Sequence, residues 1–96
     1  MLNGVGVAGT MESSDIMITI EKNEGKGIEI QLKSIVKNQF GQHIKKIIRE
    51  MLEEQGITDA LVIGNDKGAL DCTIKARVTT AVNRATNEKY VPWEVK

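Results

Sequence analysis

The chain has 96 residues, and its thirteen lysine and arginine residues balance thirteen aspartate and glutamate residues. This length predicts one domain with a modest core, and zero net charge disfavours a protein that binds nucleic acid or an anionic membrane. The single cysteine, Cys72, cannot form an internal disulfide, no apolar run approaches the roughly 20 residues of a membrane span, and no secretory signal is visible. We therefore expect a cytoplasmic protein.

The first third of the chain predicts a loop followed by two strands. Residues 1–15 are small, polar and rich in glycine, and we interpret them as a loop that forms a flexible N-terminal arm. Residues 16–20 are mostly β-branched, and residues 28–33 alternate between apolar and polar side chains, which is typical of strands with one solvated face. Because the connection between these runs is short and contains glycine, we expect them to form an antiparallel hairpin.

Helical spacing begins after the second strand. Ser34 is the predicted N-cap of a first helix, and Gly56 is placed to end it. The apolar stripe predicted for this helix consists of Val36, Phe40, Ile44, Ile47, Ile48, Met51 and Leu52.

A third strand and a second helix are predicted in the remaining part. Residues 60–63 are wholly apolar, which predicts a strand that is either buried on both faces or central in the sheet. A turn over residues 64–68 leads to a helix from about Ala69, for which Asp66 is a candidate cap. The predicted buried face of this helix consists of Leu70, Ile74, Val78, Ala81 and Val82.

The order of the predicted elements is β-β-α-β-α. Two amphipathic helices and a small sheet each have one apolar face, and stacking the helices on one side of the sheet buries all of these faces. We therefore predict a two-layer α+β sandwich with a small, mainly antiparallel sheet. The expected organisation is a flexible segment over residues 1–15, a single domain over residues 16–86 and a C-terminal tail over residues 87–96.

Several motifs have a structural interpretation that outweighs the functional one. Residues 4–9 match the dinucleotide fingerprint G-x-G-x-x-G, but the fingerprint needs a preceding strand and a following helix, and here a strand is predicted to follow. Residues 64–68 favour a turn with a helix cap over a phosphate-binding or docking loop. His43 and Cys72 lack the partner base and orienting group that nucleophilic catalysis requires.

Two acidic residues and two serines lie together near the N-terminus. We interpret Glu12 and Asp15 as solvated loop charges, because neither has an apolar setting that would raise its pKa. Ser13 and Ser14 lack a base for catalysis, but an exposed serine can still serve as an attachment point for another enzyme. Trp93 fits equally well a tail folded on the core or an anchor in a partner's pocket.

Blocks of sequence resemble the acyl carrier protein (gamma) subunit of citrate lyase. The segment that includes Gly9, Thr10, Glu12 and Ser13 is similar to the N-terminal signature of that family, and the resemblance extends over almost the whole chain. The blocks that carry the resemblance are residues 7–17, 34–41, 66–72, 75–77 and 92–94.

The resemblance implies a carrier without catalytic residues of its own, and the sequence itself shows no cluster of metal ligands. In this family a serine of the Gly-Thr-x-Glu-Ser segment carries 2'-(5''-triphosphoribosyl)-3'-dephospho-coenzyme A, and the matching residue is Ser13, with Ser14 as the alternative. The arm holds acetyl and citryl thioesters. The implied partners are the alpha subunit, which exchanges acetyl for citryl, the beta subunit, which releases oxaloacetate, and the transferase that attaches the arm.

Other functions remain open from the sequence. A carrier subunit of citramalate lyase or malonate decarboxylase would use the same kind of arm. A small nucleic-acid-binding α+β domain has a compatible order of elements, but the balanced charge and the few aromatic residues disfavour it. A structural subunit without a cofactor is a further alternative.

Overall fold

The computed structural model describes residue 2, residues 4–35 and residues 38–87, with the backbone alone for Asn38 and Gln39. The predicted α+β fold is confirmed, with one strand more than expected. Val36 and the tail from residue 88 onwards, including Trp93, lie outside the described residues. The elements are β1 (Gly6–Ala8), β2 (Ile16–Glu21), β3 (Ile28–Ser34), α1 (Asn38–Glu54), β4 (Ala60–Asp66) and α2 (Asp71–Thr86).

The four strands form one sheet in the order β1-β2-β4-β3. The pairs β1–β2 and β2–β4 are antiparallel, and β3–β4 is parallel, so the sheet is mainly antiparallel as predicted. The expected hairpin of β2 and β3 is wrong, because β4 lies between them. The central position predicted for β4 is confirmed, and its parallel pairing with β3 requires the long crossover that α1 provides.

Strand β1 lies inside the segment that we interpreted as loop. Gly6–Ala8 pairs with β2, with Gly6 opposite Ile20 and Ala8 opposite Ile18. The loop interpretation of residues 1–15 therefore does not hold for this stretch. Gly6 packs directly against α2, where a Cβ atom would collide with the carbonyl oxygen of Ala81, so that only glycine fits without a shift of the helix.

The helix boundaries differ from the predicted ones at their N-termini. Ser34, the predicted N-cap, is the last residue of β3, and its hydroxyl donates a hydrogen bond of 2.8 Å to the Asp66 carboxylate. Helix α1 begins at Asn38, and Phe40 is 51% exposed rather than buried. Gly56, at φ +75°, follows the end of α1 as predicted. Helix α2 begins at Asp71, two residues later than expected.

Both helices cover the same face of the sheet. Helix α2 packs on β1 and β2, while α1 packs on α2 and β3. The described part of neither helix is long and apolar enough to cross a bilayer. The largest fully buried apolar side chains, which form the centre of the core, are Ile16, Ile18, Ile20, Ile48, Leu52, Val62, Ile74 and Val78. Two acidic residues are buried as well, and they mark the end of the sheet where β2 begins and β4 ends.

Candidate functional site

The loop of residues 9–15 joins β1 to β2 and is organised around one buried carboxylate, that of Asp15. Asp15 is only 8% exposed. Its carboxylate accepts hydrogen bonds from the Thr10 amide (3.1 Å) and hydroxyl (2.7 Å) and from the Ile16 amide (2.7 Å). These bonds connect the two ends of the loop to a single acceptor, which is how a small, glycine-led segment acquires a defined shape.

Arg77 on α2 completes the set of donors to Asp15. Its Nε donates to Oδ1 and its Nη2 donates to Oδ2, each at 3.0 Å, which is the bidentate geometry that a guanidinium forms with a carboxylate. The Arg77 hydrogen bonds are the main reason that the pKa of Asp15 falls from its ordinary 3.8 to about 2, with smaller contributions from Thr10 and Ile16 and partial opposition from burial. The interpretation of Asp15 as a solvated charge is therefore wrong, whereas Glu12 is exposed as predicted.

Ser13 and Ser14 are the two central residues of a turn. The Asp15 amide donates to the Glu12 carbonyl at 3.2 Å, and Ser14 has a φ of +66°, the only positive φ of a non-glycine residue in the described part of the chain. A positive φ at the third position is typical of a type II turn, which usually places glycine there. Ser13 accordingly occupies the second position, at the outer corner of the turn.

The turn that contains Ser13 and Ser14 is hydrogen-bonded to Lys67, the residue that follows β4. The Ser14 amide donates to the Lys67 carbonyl, and the Lys67 amide donates to the Asp15 carbonyl, each at 2.8 Å. Asp66 anchors this segment in turn, because its carboxylate also accepts a hydrogen bond from the Ala69 amide at 2.9 Å. The segment predicted as a turn therefore supports the serine turn, and residues 64–66 belong to β4 rather than to the turn. The prediction of Asp66 as the cap of α2 is wrong, because Leu70 is the N-cap residue and no side chain caps the helix there. Leu70 is also 69% exposed, not buried as predicted.

Both serines are exposed, as an attachment point requires. Within the described residues, the Ser13 hydroxyl has no hydrogen-bond partner. This arrangement offers an accessible hydroxyl on a loop that hydrogen bonds to Asp15 hold in a defined shape.

The remaining candidate residues are placed elsewhere on the surface. His43 is exposed on α1, with Nε2 at 2.9 Å from Oδ2 of Asp71, so that it links the two helices. Cys72 is exposed in the first turn of α2, which confirms its predicted position off the apolar stripe. The described part of the chain contains no cluster of His, Cys, Asp and Glu side chains that could hold a metal ion.

Sequence reasoning missed the role of Arg77, which is 62 residues away from Asp15 in the chain. Arg77 lies within one of the blocks that carry the family resemblance, and that was the signal available for it. A bidentate pair between a loop and a distant helix leaves no local periodicity in the sequence, so pattern analysis alone could not find it.

Comparisons with known proteins place this geometry in a family. Residues 4–85 match the acyl carrier protein family model described as malonate decarboxylase delta subunit (MdcD). In the solved structure of a Pseudomonas malonate decarboxylase hetero-tetramer in complex with malonate, one chain resembles this fold with a TM-score of 0.72 at 17% identity, over 85% of this chain and 84% of that one. By class, the chain is an acyl carrier protein.

Relatives with about 50% sequence identity to this chain define the family more closely. The citrate lyase acyl carrier protein of Streptococcus mutans is 52% identical over 92% of this chain and 86% of the relative. The proteins of the same name from Rhodopseudomonas palustris and Latilactobacillus sakei are 51% and 50% identical, over 91% and 97% of this chain and 89% and 91% of those relatives. The chain belongs to the family of citrate lyase acyl carrier proteins. The resemblance seen in the sequence is confirmed.

Proposed function

We propose that this chain is the acyl carrier subunit of a citrate lyase, and that Ser13 carries a covalently attached 2'-(5''-triphosphoribosyl)-3'-dephospho-coenzyme A. The observation that carries the proposal is the exposed Ser13 at the corner of a turn that Asp15 and Arg77 hold in place. A phosphodiester link to a serine needs a hydroxyl that the transferase can reach, and this hydroxyl is exposed at the tip of its loop.

The geometry favours Ser13 over Ser14 as the attachment residue. Ser14 holds the strained position of the turn, and its amide is bound to the Lys67 carbonyl. Its backbone is therefore part of the support. Ser13 lies between Glu12 and Ser14 at the corner, where the side chain can turn towards an approaching enzyme without disturbing the hydrogen bonds below it.

The chain presents the arm and leaves the reaction to other groups. The terminal thiol of the attached group supplies the acyl-carrying chemistry. The residues of this chain fix the point from which the arm extends, because the pair of Asp15 and Arg77 ties the loop to α2. Attachment within a complex raises the local concentration of the acyl group at the active sites of the partner subunits, so that transfer does not depend on free diffusion.

The proposed partners are the alpha and beta subunits of citrate lyase and the transferase that attaches the arm. The names of the curated relatives support citrate as the substrate of the complex. A citramalate lyase or a malonate decarboxylase carrier would use the same site. Pull-down from the native source, followed by identification of the subunits that accompany the carrier, tests this choice. Recovery of malonate decarboxylase subunits in place of the lyase subunits would contradict it.

The attachment residue is tested by mass spectrometry of protein from its native source, or of protein produced together with the attaching enzymes. We expect an intact-mass adduct of one phosphoribosyl-dephospho-coenzyme A in the unaltered chain and in Ser14→Ala, and bare protein in Ser13→Ala. Circular dichroism of all three proteins verifies that they are folded. An adduct that persists in Ser13→Ala, or native material with only its amino-acid mass, would contradict the proposal.

A further inference from the structure

Lys67 is joined to the serine turn through both of its backbone groups. Its carbonyl accepts the hydrogen bond from the Ser14 amide, and its amide donates to the Asp15 carbonyl, each at 2.8 Å. Two residues thus oppose a single one, and the first of the two, Ser14, has a positive φ, which is the pattern of a G1 β-bulge. This pairing fixes the place of the Lys67 backbone relative to the turn.

The hydrogen bond between Ser14 and Lys67 also limits the distance from Lys67 to Ser13. Standard bond lengths on either side of this 2.8 Å contact place the Cα atoms of Lys67 and Ser13 within about 7.6 Å of each other. A lysine side chain spans roughly 6 Å on a flexible four-carbon stem, and a phosphate on the Ser13 hydroxyl extends roughly 3.5 Å from the Cα atom. The Lys67 ammonium can therefore reach a phosphate that Ser13 carries.

The charges around Ser13 leave the Lys67 ammonium available for such a phosphate. Arg77 also contacts the loop, but its Nε and Nη2 are engaged by the Asp15 carboxylate. Within the described part of the chain, no salt bridge joins Lys67 to an acidic side chain, and Lys67 is partly exposed. Glu12 is exposed next to Ser13, so that a phosphate there stands beside a like charge that a nearby cation would offset.

We propose that the Lys67 ammonium forms an ion pair with the phosphodiester that links the arm to Ser13, and that this pair sets the direction in which the arm leaves the turn. The inference rests on the proposed function, because attachment at Ser13 is what introduces the phosphate. Lysine binds phosphate as a point charge. A pair anchored through the bulge restricts the first bonds of the arm and leaves its thiol end free to reach the partner subunits.

Thermal unfolding of the full chain with and without the arm tests this ion pair. Loaded protein is produced together with the attaching enzymes and verified by its mass adduct, whereas bare protein is produced without them. The difference in melting temperature between loaded and bare protein is expected to fall by about 2–4 °C in Lys67→Gln. Lys67→Arg keeps the charge and should retain the original difference. At about 1 M NaCl the effect of Lys67→Gln should largely disappear, because salt screens an exposed ion pair.

Lys75→Gln is the matched control for the loss of a positive charge. Lys75 is exposed on α2, and it faces away from the loop because residues two positions apart, such as Lys75 and Arg77, point roughly 200° apart around a helix. Its loss should leave the difference between loaded and bare protein unchanged. Equal shifts of loaded and bare Lys67→Gln, or the same effect in Lys75→Gln, overturn the ion pair while the mass adduct upholds attachment. An unaltered chain without the adduct overturns the proposed function instead.

Nuclear magnetic resonance of isotope-labelled lysine gives a second measurement that needs no loaded variant. The ε-methylene resonances of Lys67 and Lys75 are assigned from their absence in bare Lys67→Gln and bare Lys75→Gln. When the unaltered chain is loaded, the Lys67 resonance is expected to shift by several linewidths, whereas that of Lys75 should stay in place. The shift should shrink as NaCl is added. A Lys67 resonance that does not move on loading overturns the inference, also in the case that Lys67→Gln cannot be loaded.

Discussion

Removing the charge of Asp15 is expected to loosen the serine loop and to change the pH dependence of stability. Asp15→Asn keeps the shape of the side chain but loses the ion pair with Arg77. At about 1.4 kcal/mol for each pKa unit, a pKa lowered from 3.8 to about 2 corresponds to about 2.5 kcal/mol in favour of the ionised form. Because the Arg77 side chain is 38% exposed, solvent screening reduces this figure, and we expect a loss of about 1–2 kcal/mol at pH 7.

The sign of the pH dependence follows from the direction of the pKa change. A depressed carboxyl pKa contributes stability that is complete above the ordinary value of 3.8 and is lost as the pH falls through the folded value of about 2. The difference in free energy of unfolding between the unaltered chain and Asp15→Asn should therefore be constant from pH 7 to about pH 5 and shrink between about pH 4 and 2.

Urea unfolding followed by circular dichroism at several pH values measures this difference. The exposed acid of the same loop provides the matched control, and Glu12→Gln is expected to change the free energy of unfolding by less than about 0.5 kcal/mol. A loss in Asp15→Asn that is the same at pH 2 as at pH 7 would refute the ion-pair explanation, and so would an equal loss in Glu12→Gln.

Three further substitutions test the support of the site by urea unfolding. Gly6→Ala is expected to lower the free energy of unfolding by about 2–3 kcal/mol, because the added Cβ meets the backbone of α2. Gly4→Ala is the control, because a Cβ there meets nothing within 4 Å, and it should cost less than about 0.5 kcal/mol. Equal costs would contradict the close contact between Gly6 and α2. Ser14→Gly is expected to gain about 0.5–1 kcal/mol by relieving the positive φ, and a loss of stability would show that the turn differs from the one described. Asp66→Ala should lower the free energy of unfolding by about 2–3 kcal/mol, since the buried carboxylate accepts hydrogen bonds from Ser34 and the Ala69 amide. A cost no larger than that of Ser34→Ala would argue against a supporting role for the Asp66 carboxylate.

The elements with a clear side-chain period could be predicted from the sequence. Strand β3 alternates apolar and polar residues from residue 28 to residue 33, and the apolar run that begins β4 has the composition of a central strand. Strand β1 could not be predicted, because its three residues are small and show no alternation. The strand pairing of β2 also could not be predicted. The short glycine-containing connection between β2 and β3 is compatible with a hairpin and equally with a sheet in which β4 lies between these two strands.

The candidate site likewise has one feature that the sequence predicts and others that it does not. The exposure of Ser13 follows from the composition of its loop, because small polar residues do not stabilise a core. The buried state of Asp15 does not follow from composition, since it depends on the guanidinium that α2 brings to the loop. The positive φ of Ser14 is equally invisible in the sequence, where a type II turn would normally be recognised by a glycine at that position.

The link between residue 15 and residue 77 has a consequence for biosynthesis. A ribosome releases the N-terminal part of the chain first, and at that stage the guanidinium that holds the loop has not yet been made. The segment bearing the hydroxyl therefore takes its final shape only after most of the polypeptide has emerged and α2 has docked. An enzyme that recognises this shape would act on finished carriers and pass over incomplete ones.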